Sequence, residues 1–165
     1  MTRVYEFWNI LCEFNTVSIA FRLALAVIFG GIIGIEREHK RRAAGFRTHI
    51  LVCVGSAITP MIGQYLLTLR AMSPENFSAD PMRIAAQVIA GMGFIGAGTI
   101  IVTSRRQVKG LTTAAGLWTA AIVGIAAGAG CYVEAIYCCF LVLMAEIFFS
   151  KIEYYLVSSA KIANI

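Results

Sequence analysis

The sequence is poor in charge. Only 14% of its 165 residues are Asp, Glu, Lys or Arg, and 59% are hydrophobic. A soluble domain is about a quarter charged and nearer half apolar. With a mean hydropathy of +0.77, the chain is not an ordinary soluble globule and reads as an integral membrane protein. It also lacks long polar stretches, which leaves nothing for a sizeable soluble domain within these residues. Its five cysteines (Cys12, Cys53, Cys131, Cys138, Cys139) show no metal-ligand spacing, and its two histidines, His39 and His49, stand alone at the expected inner interface. No nucleophile–base set, His/Cys ligand set or phosphate loop is present, so the chain is not expected to be an enzyme or to hold a resident cofactor. The first residues lack a basic n-region and a small-residue cleavage site, so no cleavable leader is expected. The net charge of +5 comes from short loops between apolar runs and not from a stripe on a polar face. Nucleic acid is therefore not an expected partner, and the lipid bilayer is.

What is present is a series of apolar runs, each long enough to cross a bilayer. They predict an all-α bundle of five transmembrane helices over 18–149, with spans at about 18–35, 50–69, 83–102, 111–127 and 132–149. Residues 1–17 mix Tyr5, Phe7, Trp8 and Phe14 with Arg3, Glu6 and Glu13, which suits an amphipathic interfacial segment. Residues 150–165 form a short tail. With five spans, ten Lys and Arg fall on one side (Arg37, Lys40, Arg41, Arg42, Arg47, Arg105, Arg106, Lys109, Lys151, Lys161) and four on the other (Arg3, Arg22, Arg70, Arg83). That bias puts the N-terminus outside and the C-terminus in the cytoplasm. Arg22 is expected to snorkel to the outer headgroups.

The run from Asp80 to Val102 is expected to be the central helix. Asp80 is a good N-cap, and Pro81 suits the first helical position. Gly91, Gly93, Gly96 and Gly98 follow, each costing about 1 kcal/mol against alanine in a helix. Close approach by a neighbouring helix is the expected return. The fourth run supplies a matching small-residue stripe through Thr113, Gly116, Ala120, Gly124 and Ala127, and the first offers Gly30 and Gly34. Such faces serve helix contacts within the chain, in a homo-oligomer or with another membrane protein. In the second run Pro60 removes the N–H that would bond the Ser56 carbonyl, with Ser56 and Thr59 placed to compensate.

Few polar groups offer chemistry. Glu36 and Glu38 at a helix C-terminus oppose the macrodipole, so they need local partners. Arg37, Lys40, Arg47 or a bound cation are candidates, and pairs at spacing four, Glu36–Lys40 and Glu38–Arg42, are the alternative. Asp80 can pair with Arg83, and Gln87 lies one turn further along the same face. Magnesium takes oxygen ligands and one or two carboxylates, so Asp80, Glu36 and Glu38 are the candidate metal ligands. None lies at mid-membrane, where transporter sites are usual. Glu134 and Glu146, each near a helix end, are expected to snorkel.

Three blocks carry a resemblance. Gly34-Ile35-Glu36-Arg37-Glu38 with Ala44-Gly45-Phe46-Arg47-Thr48-His49 is the first. Asp80-Pro81-Met82-Arg83 with Gln87 and Gly91-Met92-Gly93-Phe94-Ile95-Gly96-Ala97-Gly98 is the second, and Gly110-Leu111-Thr112-Thr113-Ala114-Ala115-Gly116-Leu117-Trp118 the third. In this order, over about residues 20–140, they resemble the MgtC/SapB family of bacterial membrane proteins. The resemblance implies an inner-membrane protein of low-magnesium adaptation, acid tolerance and survival inside macrophages. It also implies a regulator of the proton-driven ATP synthase, or alternatively a magnesium transporter. Ending at Ile165, the chain resembles the short, SapB-like form without the ACT-like domain of longer members. The residues expected to matter are Glu36, Arg37, Arg47, Thr48, Asp80, Arg83 and Gln87, with Thr112 and Thr113 nearby.

Overall fold

The computed structural model describes residues 15–72, 80–102 and 108–152. Most of the expected interfacial segment 1–17 and of the tail 150–165 lies outside the described residues.

Helix α1 (Thr16–His39) starts at Asn15, whose side chain accepts the Ser18 N–H at 2.8 Å. It runs past the apolar stretch and takes in Glu36–His39. Arg37 and His39 in the last turn suit the helix C-terminus, and Glu36 is held by Lys40 at 2.6 Å. The chain leaves the helix at Arg41, whose φ of 51° is left-handed. Helix α2 (Phe46–Met72) passes through Pro60. The carbonyl of Ser56, deprived of its partner by that proline, accepts the Thr59 hydroxyl at 2.8 Å, as the sequence predicts.

Helix α3 (Pro81–Thr99) begins at Asp80, whose carboxylate accepts the Met82 N–H at 3.0 Å. It ends before the apolar run does. Thr99, Ile100, Ile101 and Val102 are all β-branched and favour extended backbone. Strand β1 (Ile101–Val102) pairs antiparallel with β2 (Val108–Lys109). Helix α4 (Leu111–Ala129) lies between two left-handed glycines, Gly110 and Gly130. Helix α5 (Tyr132–Leu143) continues into a π-helical turn, Met144–Phe149.

Four helical segments are long and apolar enough to cross a membrane: Thr16–His39, Phe46–Ala71, Leu111–Ala129 and Tyr132–Ile152. Helix α3, the expected fifth span, is not among them. Its 19 residues reach about 28 Å at 1.5 Å per residue, but Arg83, Gln87 and four glycines dilute its apolar character. The architecture is therefore an all-α membrane bundle with four candidate spans.

The core also differs from expectation. Ala26, Phe29 and Ile33 of α1 meet Cys53, Ala57 and Met61 of α2, Val123 and Ala127 of α4, and Ala135 and Cys139 of α5. The centre is thus the α2–α4 contact and not α3. Glycines explain why. A Cβ added at Gly30 would lie 2.7 Å from the His49 carbonyl oxygen, and one at Gly34 would lie 2.7 Å from the Cα of Phe46. One at Gly124 would strike the Cys53 carbonyl, and one at Gly128 that of Ala57. The small-residue stripe of α4 therefore serves α2, because Cys53 and Ala57 are small enough to let the two backbones meet. Among the described residues, nothing lies within 4 Å of a Cβ added at Gly91, Gly93 or Gly98. Only Gly96 of that set touches α4, at 3.3 Å from the Ala114 Cβ. Helix α3 leans on the bundle through Met92, against Leu117 and Ala121.

Arg22 does not snorkel. It is 1% exposed, and its Nη1 donates to the Gln64 side-chain oxygen and to the Gly128 carbonyl, each at 2.9 Å. The last carbonyls of α4 have no partner within the helix, and a buried guanidinium meets both that need and the negative end of the dipole.

The contrast between glycines is testable by unfolding in mixed micelles. Gly124→Ala is expected to lose about 1–3 kcal/mol through overpacking. Gly93→Ala, in open space on a helix, is expected to be neutral or to gain up to about 1 kcal/mol.

Candidate functional site

Charged and polar side chains of four helices converge at one end of the bundle. The last turns of α1 bring Glu36, Arg37 and Lys40; the first turn of α2 brings His49. The π-helical turn brings Glu146, and the first turns of α4 bring Thr112, Thr113 and Gly116. Arg37 is 2% exposed, and its Nη2 donates to Glu146 Oε1 across a sequence separation of 109 residues. Lys40 Nζ donates to the Glu146 carbonyl oxygen at 2.8 Å and pairs with Glu36 Oε1 at 2.6 Å. Arg37 Nε stands 3.7 Å from Glu36 Oε2, beyond hydrogen-bond reach. The result is an alternating array of two carboxylates and two cations at one end of the bundle.

Gly116 makes room for it. An added Cβ there would lie 3.0 Å from Glu146 Oε1, 3.6 Å from His49 Nε2 and 3.7 Å from Arg37 Nη2. His49 is fully buried. Its Nδ1 lies 2.9 Å from the Gly45 carbonyl oxygen, so that nitrogen carries the proton and donates. Nε2 is buried and has no hydrogen-bond partner among the described residues.

The other expected residues lie elsewhere. Glu38 is a helix cap: its Oε2 accepts the Phe46 N–H, the first of α2, at 3.1 Å. Arg47 and Thr48 are exposed and line an open cleft of about 830 Å³ with Glu38, His39 and Arg42. Asp80, Arg83 and Gln87 are exposed on the first turns of α3, which the chain reaches only after α2 has run 27 residues, about 40 Å at 1.5 Å per residue. The structure does not bring Asp80 together with Glu36 or Glu38. Thr113 is buried, and Thr112 is exposed at the rim of the charged array. Among the described residues no three His, Cys, Asp or Glu side chains are grouped so as to hold a metal ion.

Two members of the array were not expected from the sequence. A glutamate near a helix end and a lone histidine at an interface are ordinary on their own, and only the fold places Glu146 and His49 beside Arg37. The energetics of the pair are testable. Removing one partner of a buried ion pair leaves an uncompensated charge and costs about 3–5 kcal/mol, whereas replacing both by apolar residues is often neutral. Arg37→Met and Glu146→Leu are each expected to lower unfolding stability by that amount. The double variant is expected to recover most of the loss, read from the same denaturation curves.

Comparison with known proteins agrees with this architecture. The profile of the MgtC family matches residues 23–155. YhiD of Escherichia coli K12, which carries the name of a proposed magnesium transporter, is 40% identical over 143 residues, 87% of this chain and 66% of its own length. SapB of Bacillus subtilis is 39% identical over 120 residues, 72% of this chain and 50% of its own. MgtC of Salmonella typhimurium LT2 is 38% identical over 125 residues, 76% of this chain and 49% of its own. The chain thus spans between half and two thirds of the relatives it matches. No solved structure matches it. With its apolar helices and a match over most of its length, this chain is a bacterial membrane protein that belongs to the MgtC family.

Proposed function

We propose that the chain is a non-enzymatic inner-membrane regulator of adaptation to low magnesium and acid stress. It works by docking α3 and α4 against a membrane partner, with the proton-driven ATP synthase as the first candidate and a second copy of the chain as the other. In this reading α3 is the fifth span, the N-terminus is outside and the basic loops are cytoplasmic.

The observation that carries the proposal is the surface between α3 and α4. Gly93, Gly96, Ala97, Ala114 and Ala115 line an open groove of about 270 Å³ with Trp118 at its edge, and a Cβ added at Gly91, Gly93 or Gly98 would meet nothing within 4 Å among the described residues. Lipid gains little from glycine, whereas a second helix gains close backbone approach. Phe94, 86% exposed, adds a large anchor beside the smooth strip.

Gly93→Leu is the test. The position is open, so the variant is expected to insert and unfold like the parent while losing low-magnesium growth complementation and crosslinks to its partner. A Gly93→Leu protein with full activity would end this reading.

Magnesium or another cation as cargo is the second reading, favoured by the YhiD name and by two carboxylates, Glu36 and Glu146, held together at the basic-loop end. It predicts magnesium uptake by proteoliposomes above the empty-vesicle level, abolished in Glu36→Gln. A folded protein that moves no magnesium rules it out.

A further inference from the structure

Beside the charged array lies a small cavity that the array itself does not fill. It is about 150 Å³ and is lined by Arg37, Lys40, Arg42, Thr112, Glu146 and Ser150, with the apolar edges of Ala145 and Phe149. Water occupies about 30 Å³ per molecule, so the space suits a group of several heavy atoms. Three cations line it against one carboxylate, whose Oε1 is bonded to Arg37 while its Oε2 is buried with no hydrogen-bond partner among the described residues. Lys40 is engaged by Glu36 and by the Glu146 backbone. Arg42 has no ion-pair partner among the described residues and is exposed at the rim.

Two features point to an anion, and a third marks the cavity as a site. Thr112 belongs to the first turn of α4, a helix of 19 residues whose N-cap, Gly110, makes no side-chain cap bond. Its initial N–H groups therefore have no side-chain cap from that residue, and they present the positive end of the helix dipole. Arg37, 2% exposed and part of the cavity wall, has a buried Nε that stands 3.7 Å from Glu36 Oε2 and has no hydrogen-bond partner among the described residues. A buried guanidinium donor without an acceptor is a costly arrangement that a ligand oxygen would resolve. The π-helical turn Met144–Phe149 supplies Ala145, Glu146 and Phe149 to the wall, and such turns occur mostly at functional sites.

We infer that this cavity binds a phosphate group. Guanidinium and ammonium groups, two hydroxyls and a helix N-terminus present donors from several sides. That arrangement suits a tetrahedral oxyanion with more than two acceptor oxygens better than a planar carboxylate or a halide. The phosphate arrives either on a lipid headgroup, with Phe149 and Ala145 meeting the acyl side, or as a free phosphate compound from the aqueous phase.

The experiment uses the full chain purified in a maltoside detergent, which contains no phosphate. Thermal unfolding and native mass spectrometry are recorded with dioleoyl phosphatidylglycerol, with dioleoylglycerol (the same chains without the phosphate), with inorganic phosphate, and with sodium chloride at matched ionic strength. A rise in melting temperature and retained adducts with phosphatidylglycerol, absent with dioleoylglycerol, assign the site to lipid headgroups. The same rise with inorganic phosphate alone, absent with chloride, assigns it to a soluble phosphate. In either case Arg42→Gln and Thr112→Val, both at exposed positions, are expected to lose at least half of the shift, while Arg70→Gln keeps it. Phosphate probes that stabilise no more than their controls overturn the proposal, as does an equal loss in Arg70→Gln.

Discussion

Arg37 and Glu146 are each buried in a place where neither charge could stand alone. Arg37 ends the first described helix and Glu146 sits in the last, so their pairing closes the bundle between its two sequence extremes. The remaining polar groups at that end follow from it. Lys40 is drawn to the Glu146 carbonyl, Glu36 is held by Lys40, and Gly116 has no side chain because any Cβ would press on the pair. Desolvating two ions costs several kcal/mol per ion unless geometry and hydrogen bonds are good, which is why so much of the local sequence is committed to them. The opposite end of the core uses a related device in which Arg22 answers the last carbonyls of α4. Two buried arginines thus pin α1 at both ends, one to a side chain and the other to a helix terminus.

Between those ends the bundle is held by backbone proximity. In a bilayer, apolar side chains gain nothing by leaving lipid for one another, so close packing of small residues carries the association. Gly30 and Gly34 of α1 and Gly124 and Gly128 of α4 all press against α2, which makes α2 the shared wall. Helix α3 packs on both α2 and α4, with Met92 buried against Leu117 and Ala121 and Gly96 close to Ala114. It also carries Gly91, Gly93 and Gly98 on an exposed side, so the same helix joins the bundle and offers a smooth strip away from it.

Local signals in the sequence were readable wherever the physics is local. The Asp80–Pro81 start of α3, the Thr59 repair beside Pro60 and the Glu36–Lys40 pair all depend on neighbours within four residues, and all are present. The helical membrane architecture and the family blocks were readable as well. What could not be read was which surfaces meet. A glycine announces that no side chain is wanted but not what takes its place, so Gly124 and Gly93 look alike in sequence and differ completely in space. Arg22, His49 and Glu146 each have an ordinary interfacial explanation, and only convergence over a hundred residues removes it. The extent of α3 was overestimated because an apolar run is a hydropathy signal, and β-branched residues at its end change the backbone without changing the hydropathy.

The π-helical turn has a consequence for how this helix tolerates change. A π turn holds one residue more than an α turn at nearly the same axial length, and one residue corresponds to about 100° of rotation in an α-helix. Met144–Phe149 therefore takes up one extra residue. Along this helix Ala135 and Cys139 face the core, and seven residues after Cys139 Glu146 also turns inward while Ile147, Phe148 and Phe149 face outward. A single-residue deletion within this turn would remove the extra residue and restore an α turn, leaving the helix on either side close to its present phase. The turn is thus the place in this helix where the loss of one residue is best absorbed, whereas a deletion in the α-helical stretch before it would turn Glu146 by about 100° relative to the core face.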